Sequence, residues 1–281
     1  MKRSIYVIIF LMVMTMIWTT GCTKKGDAVG DSIADSVIVD TLEADTMESL
    51  IEETPMPKSA DELFDDFLFN FAANKKLQMS RVTFPLAVDN YGKKSTIDKH
   101  QWRMEHFFIR QGFYTLVVGN MKDINVSKDT SVNHVVIEKI HLAKKYIQQY
   151  HFYRVNGQWM LQQLKTEGVG ANANGGFYAF YDKFVRDSTF RQSSMDESID
   201  FSGPDPTDDF APRINGSIMP EQWAMFAPEL PKDMIYNIVY GDRPIKGSQR
   251  ILVIRGIANG LETELTFKKT GSGYKLVKLN T

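Results

Sequence analysis

The chain has 281 residues, of which 43% are hydrophobic and 24% are charged, and its formal net charge at pH 7 is −1. This composition is typical of a globular protein, and the length fits about two domains. Residues 59–281 carry 28 basic and 25 acidic residues, which excludes the concentrated basic surface of a nucleic-acid-binding protein. The single cysteine, Cys22, excludes an intramolecular disulfide framework.

The first 21 residues predict a secretory signal peptide. Lys2 and Arg3 form a positively charged start, and residues 5–18 form an apolar run. A helix of about 14 residues spans roughly 21 Å, which is shorter than the ~30 Å hydrocarbon core of a bilayer. The run therefore favours a cleaved signal peptide, residues 1–21, over a permanent membrane span.

A glycine followed by the only cysteine, Gly21-Cys22, comes soon after this run. The pair resembles the lipobox of bacterial lipoproteins, although Thr19 stands where that pattern usually has leucine. The resemblance implies cleavage before Cys22, lipidation of this residue, and anchoring of the chain to a bacterial membrane in the cell envelope. Lys24 and Lys25 differ from the acidic surface-export signals of some lipoproteins, which favours the periplasmic face. The alternative is an ordinary signal peptide with a chance cysteine.

Residues 22–58 predict a flexible tether that begins at the lipidated cysteine. Positions 26–57 hold nine acidic residues and no lysine or arginine. Like charges repel one another, and few large apolar side chains are available for burial, so an extended chain is expected. Scattered apolar residues such as Ile33, Val37 and Leu50 leave a partner-binding helix as the alternative.

From residue 59 to residue 166 the sequence predicts a helix followed by mostly antiparallel strands, which is an α+β pattern. Ser59 and Glu62 have capping-box spacing, and five apolar residues then recur at helical spacing: Leu63, Phe64, Phe67, Leu68 and Phe71. The predicted strands cover residues 81–88, 113–120, 134–142, 144–155 and 158–166, with a short helix over 101–108. Pro85 indicates a sheet edge or a bulge, and Asn156-Gly157 predicts a two-residue hairpin turn.

The second half of the chain repeats the first. Five elements match in the same order, and the offset between matched residues stays between 113 and 122. The matched pairs include Phe67 and Phe180, Trp102 and Trp223, Tyr114 and Tyr236, Lys139 and Arg255, and Trp159 and Tyr274. A tandem duplication is therefore predicted, with a first domain at residues 59–167 and a second at residues 168–281.

The residues shared by the two copies resemble the nuclear transport factor 2-like fold. They include a phenylalanine-rich helix with Phe64, Phe67 and Phe71, a segment that carries Trp102, and long antiparallel strands. In that fold a strongly bent sheet wraps around its helix to form a cone with a pocket, so the resemblance implies two tandem cone domains. With the lipobox and the acidic tether, the chain also resembles an uncharacterised family of exported bacterial lipoproteins (domain of unknown function 4348). This resemblance implies a fold and an anchor rather than an activity.

Sequence patterns of common catalytic chemistry are absent, since no nucleophile elbow, P-loop or dinucleotide fingerprint occurs. The five histidines lack metal-ligand spacing: His100, His106, His134, His141 and His151. Three aspartates, Asp205, Asp208 and Asp209, lack the pattern of a calcium-binding loop. No catalytic residue, metal or cofactor is therefore predicted.

Four matched aromatic residues are the candidate ligand-binding residues: Trp102, Tyr114, Trp223 and Tyr236. They could line the mouths of the cones, but core packing is the alternative, because such side chains bury about 150–250 Å² each. A function held by one copy should lie where the copies differ. Those positions include Arg81, His106, Glu138 and His141 in the first copy and Asp208, Arg213, Asp242 and Arg243 in the second.

The tandem binding-type folds without a catalytic pattern favour a non-enzymatic, membrane-anchored envelope protein that binds a small ligand or a protein partner. The alternative is an enzyme of the isomerase, cyclase or hydrolase kind, with an aspartate or histidine and a tyrosine in one cone pocket. Pockets filled by phenylalanine and tryptophan in both copies would instead favour a structural scaffold. No nucleic-acid partner is predicted.

Overall fold

The computed structural model describes residues 56–205, 213–242, 245–257 and 259–281, all within one unit that spans Ala44–Thr281. The predicted signal peptide, Cys22 and the tether up to residue 55 lie outside the described residues, as do Asp208, Asp209 and Arg243. Among the described residues, no helix combines the length and the apolar character needed to cross a bilayer.

The described part of the chain contains five α-helices and twelve β-strands. The helices are α1 (Phe64–Ala73), α2 (Lys75–Arg81), α3 (Gly175–Arg186), α4 (Ser188–Ser193) and α5 (Trp223–Phe226). The strands are β1 (Val82–Asn90), β2 (Lys93–Ile97), β3 (Phe113–Val118), β4 (His134–His141), β5 (Tyr146–Val155), β6 (Gln158–Gly168), β7 (Met195–Gly203), β8 (Ile214–Ile218), β9 (Met234–Tyr240), β10 (Gln249–Gly256), β11 (Glu262–Thr270) and β12 (Gly273–Asn280). The predicted α+β class is confirmed, and the same order of elements occurs in both halves of the chain.

All twelve strands form one continuous sheet, in the order β2-β1-β6-β5-β4-β9-β3-β10-β11-β12-β7-β8. The third strand of each half is exchanged, because β9 pairs with β4 of the first half and β3 pairs with β10 of the second. Two separate cone domains are therefore not confirmed. The boundary between residues 167 and 168 stays a prediction.

The central strands are buried on both faces. Leu116, Ile137 and Val253 point to the side of α1, whereas the sequence neighbours Val117 and Leu252 point to the side of α3. Successive strand residues alternate between the faces, so the two helices pack against opposite sides of the same sheet. The core residues form two aromatic interiors, one under each helix.

The start of α1 differs from the prediction. Residues Lys58–Asp61 form a 3₁₀ turn, and α1 begins at Phe64 without a side-chain cap, so the predicted capping box at Ser59 is wrong. The reason is Asp61, whose carboxylate accepts hydrogen bonds from Arg81 at 2.8 and 2.7 Å and from the backbone N–H of Trp159 at 3.1 Å. These bonds hold the segment on the sheet.

Three further local predictions can be compared with the structure. The hairpin at Asn156-Gly157 is confirmed, since the two residues have φ angles of 50° and 80°, as a type I′ turn requires. Pro85 lies in a stretch where the register of β1 against β6 shifts, which confirms a bulge. The short helix over residues 101–108 is wrong, because only Lys99–Gln101 form a 3₁₀ turn and residues 102–106 are irregular.

Candidate functional site

An irregular segment, residues 102–108, closes the interior of the first half and is called the plug. A single buried side chain, Gln78 of α2, holds its backbone. The Gln78 amide donates to the carbonyl oxygens of Phe71 and Glu105, both at 2.8 Å. Its oxygen accepts from the indole of Trp102 and from the backbone N–H of Glu105, both at 3.2 Å. The plug is thus fixed by side-chain hydrogen bonds rather than by a sheet ladder.

The Glu105 carboxylate lies at the centre of a polar cluster on the edge of this interior. One oxygen accepts from Lys139 at 3.1 Å and from the hydroxyl of Tyr150 at 2.8 Å. The other accepts from the hydroxyl of Tyr236 at 3.2 Å and from the backbone N–H of Phe107 at 3.1 Å. The cluster of Glu105, Lys139, Tyr150 and Tyr236 is called the Glu105 site. It joins the two halves, because Tyr236 comes from the exchanged strand β9.

The electrostatics keep Glu105 ionised. Burial raises the pKa of its carboxyl, but Lys139 and the hydrogen bonds from Tyr150, Lys139 and Phe107 outweigh burial and hold this pKa below its ordinary value. Burial and the neighbouring carboxylate raise the pKa of Tyr150 and of Tyr236. Both hydroxyls therefore stay protonated at neutral pH and donate hydrogen bonds to Glu105.

Lys139 and His141 lie at the partly exposed rim of the site. About a fifth of the side chain of Lys139 (19%) and of Glu105 (21%) is exposed, and the Lys139 ammonium lies 5.5 Å from the ring centre of Tyr236. Burial, followed by the charge of Lys139, lowers the pKa of His141. Its ring stacks on Tyr146 with centres 4.3 Å apart, and its Nε2 atom is buried without a hydrogen-bond partner in the described structure.

Three of the four predicted aromatic residues lie at or near the Glu105 site. Tyr236 is part of it, Trp102 is linked to it through Gln78, and Tyr114 packs against Phe108 of the plug with ring centres 5.0 Å apart. Trp223 lies in the other interior, where it packs against Phe184 at 6.0 Å. The structure thus brings three of these residues to one region and places the fourth elsewhere.

Sequence reasoning missed Glu105, Lys139 and Tyr150. The signals that pointed to the site were the predicted aromatic residues Tyr236 and Trp102 and the differing positions His106 and His141. Lys139 was noted only as a match to Arg255. The structure shows why this match matters, since Lys139 pairs in register with Tyr236 and Arg255 with Tyr114.

Glu138, another position where the copies differ, is the centre of a second, buried network on the opposite face of β4. Its side chain accepts hydrogen bonds from Tyr178 at 2.6 Å, Asn172 at 2.6 Å, Gln149 at 3.1 Å and Asn237 at 3.1 Å. These donors come from β5, β9, α3 and the connection between the halves. The network joins the halves because its donors come from both of them. It is closed to ligands because Glu138 is only 3% exposed.

Asp242 belongs to a third polar group, on the outer surface of the first half. It is hydrogen-bonded to Nδ1 of His134, whose Nε2 lies 3.2 Å from Nδ1 of His151. Burial, followed by the charge of His134, lowers the pKa of His151 to about 4. In the described residues, no group of three or more His, Cys, Asp and Glu side chains is arranged to hold a metal ion.

An open groove of 440 Å³ lies along the start of α1, between Pro57 and Asn70. None of its lining residues belongs to the Glu105 site. The interiors under α1 and α3, in contrast, are occupied by packed rings such as Phe71, Phe152, Phe184 and Phe267, each 0% exposed.

Comparison with solved structures shows which known fold this structure resembles. The structure is similar to a crystal structure of an NTF2-like protein from Bacteroides fragilis NCTC 9343, with a TM-score of 0.70 and 36% sequence identity. The match covers 80% of this chain and 98% of that one. A comparison with curated proteins gives no match. Residues 43–281 match the model of the family described as Domain of unknown function (DUF4348), and the chain belongs to this family.

Proposed function

We propose that the protein is an exported, lipid-anchored envelope protein that binds a ligand at the Glu105 site. The observation that carries this proposal is the site itself, where a partly exposed ion pair and two tyrosines border an aromatic interior. Packed rings fill both interiors, which favours the scaffold alternative for the interiors themselves, so the proposal depends on the Glu105 site at their edge. Such a combination of apolar walls and a few convergent polar groups is typical of ligand sites. The NTF2-like fold of the similar Bacteroides protein supports it.

The proposal includes two cone units, at residues 59–167 and 168–281, which share strands. The repeated order of the elements supports this arrangement, as do the register shifts that bend the sheet at equivalent places. In the first half the shift between β1 and β6 lies between Val82 and Ala87 of β1. In the second half the shift between β7 and β12 lies between Met195 and Asp200 of β7. In this arrangement each unit is completed by one strand of the other.

The anchor rests on sequence observations, namely the charged start, the apolar run and Gly21-Cys22. We expect wild-type protein to sediment with membranes and a Cys22→Ser variant to be released, because several acyl chains at ~0.8 kcal/mol per CH₂ would be lost. Fractionation followed by mass spectrometry of the N-terminal peptide measures this change. An uncleaved Cys22→Ser precursor would also sediment, so only a cleaved variant that stays with the membrane contradicts the anchor.

Binding of the ligand is expected to depend on Lys139. Native mass spectrometry of protein purified from its own cell envelope should show an additional bound mass. Replacement of Lys139 by Met should remove that mass, because the only cation of the Glu105 site is lost, whereas Lys268→Met changes an exposed lysine of β11 and should leave it. Equal loss in both variants, or no bound mass in the wild type, argues against ligand binding at this site.

A catalytic role is the second candidate, and His141 favours it. A neutral histidine with a buried, unpartnered Nε2 beside a lysine could accept a proton from a bound molecule. In this alternative the bound mass would appear as a mixture of substrate and product, and a His141→Gln variant would retain binding but hold a single species.

A further inference from the structure

We propose that the plug occupies, with its own side chains, a site for small carboxylic acids that carry an aromatic ring. This inference rests on the proposed function and names the ligand class. Glu105 supplies the carboxylate and Phe107 supplies the ring. The backbone N–H of Phe107 bonds to the Glu105 carboxylate at 3.1 Å, which presents the two groups together as one unit.

The ring of Phe107 lies in an aromatic box and is only 4% exposed. Its centre is 5.0 Å from that of Tyr150, 6.1 Å from Phe71, 6.2 Å from Tyr236 and 6.3 Å from Phe152. The contacts with Tyr150 and Tyr236 are edge-to-face, at 74° and 70°. This geometry favours an aromatic group over an aliphatic one.

The carboxylate of Glu105 lies among donors that belong to the sheet rather than to the plug. When the plug leaves, Lys139 and the hydroxyls of Tyr150 and Tyr236 lose their common acceptor. A partly buried lysine with two donors and no anion is unfavourable. The emptied site therefore selects an anion with a planar ring a few bonds away.

The plug can leave more readily than the surrounding strands. Its residues 102–106 have no regular secondary structure, and their described hydrogen bonds to the rest of the fold involve the side chains of Gln78 and Glu105. The buried rings of Phe107 and Phe108 add packing contacts that opening must break. Phe107 has a φ angle of 48°, a left-handed conformation that is unfavourable for a bulky side chain. Segments with few backbone ladder bonds open at lower free energy than core strands.

The test is calorimetric titration of the full chain with 3-phenylpropionate, which carries a benzene ring and a carboxylate. A Glu105→Ala/Phe107→Ala variant, which keeps the receiving groups but removes both side chains of the internal mimic, should bind at least tenfold tighter than the wild type. Adding Lys139→Met to this variant should reverse the gain. Butyrate, which lacks the ring, should bind at least tenfold more weakly.

The matched control is Phe184→Ala, which removes a fully buried ring from α3 in the other interior. If this variant gains as much affinity for 3-phenylpropionate, the effect is that of any cavity and the proposal is wrong. It is also wrong if a folded Glu105→Ala/Phe107→Ala variant gains no affinity, or if Lys139→Met has no effect.

If the double variant does not fold, hydrogen exchange of the wild-type protein tests the proposal instead. Excess 3-phenylpropionate should speed exchange of the plug amides and leave those of β4 and β5 unchanged; unchanged plug amides would overturn the proposal. The two proposals fail in different experiments. Absence of a bound mass in envelope-purified protein contradicts the proposed function, whereas absence of a gain in affinity for 3-phenylpropionate contradicts this inference.

Discussion

A fragment of residues 56–168 will show no cooperative unfolding by circular dichroism in urea. This fragment contains β4 but lacks β9, which pairs with β4 along seven residue pairs from Val135 to His141. It also loses the buried side chains Ile235, Tyr236 and Ile238 from β9. Since burial of one large apolar side chain contributes about 1.5–3 kcal/mol, the loss is comparable with the whole stability of a small domain, about 5–15 kcal/mol.

The control is the complementary experiment. Fragments 56–168 and 169–281, produced together, should associate and recover a cooperative transition, because each then receives its missing strand. The single chain 56–281 should unfold in one transition. A monomeric 56–168 fragment with a steep transition of its own would show that β9 is dispensable and that the halves are independent.

Replacement of Glu138 by Ala will destabilise the protein by roughly 3–9 kcal/mol. The change leaves three buried donors without their acceptor, on Tyr178, Gln149 and Asn237, and each such group costs about 1–3 kcal/mol when it is unpaired. Tyr178 is strongly affected, because its buried O–H group loses its carboxylate acceptor, whereas the amide of Asn237 only donates to its oxygen, at 3.2 Å. Urea unfolding measures the change in free energy.

The matched control for this variant is Glu264→Ala. Glu264 is a strand carboxylate whose described hydrogen bond is a single one from Asn280, at 2.7 Å. Its removal should cost less than about 1.5 kcal/mol, the usual net worth of one hydrogen bond. Equal losses in the two variants would mean that Glu138 is an ordinary polar residue and that the network does not hold the halves together.

Local patterns predicted much of the fold because they act over a few residues. The turn at Asn156-Gly157 and the apolar stripe of α1 depend on backbone freedom and helical spacing alone. The start of α1 could not be predicted, since Asp61 bonds to Arg81 and Trp159, 20 and 98 residues away. The same applies to the plug, where Gln78 and Glu105 meet only in the folded chain.

The strand exchange could not be predicted from the sequence, because the two halves are similar. Tyr114 and Tyr236 occupy equivalent places in β3 and β9, so the alternation of apolar residues in the sequence does not tell which strand lies beside β4 and which beside β10. What distinguishes the partners is a set of side-chain contacts across the sheet, such as Glu138 with Asn237. Glu138 and His141 were found as differences between the copies, but a difference alone does not say which residues surround it.

The reciprocal exchange of β3 and β9 makes this single chain the equivalent of a fused dimer whose subunits lend each other a strand. A change at Tyr236, in the second half of the sequence, acts beside Lys139 of the first half, and one at Tyr114 acts beside Arg255 of the second. The two halves can therefore diverge in sequence, but neither keeps its part of the sheet complete without the other.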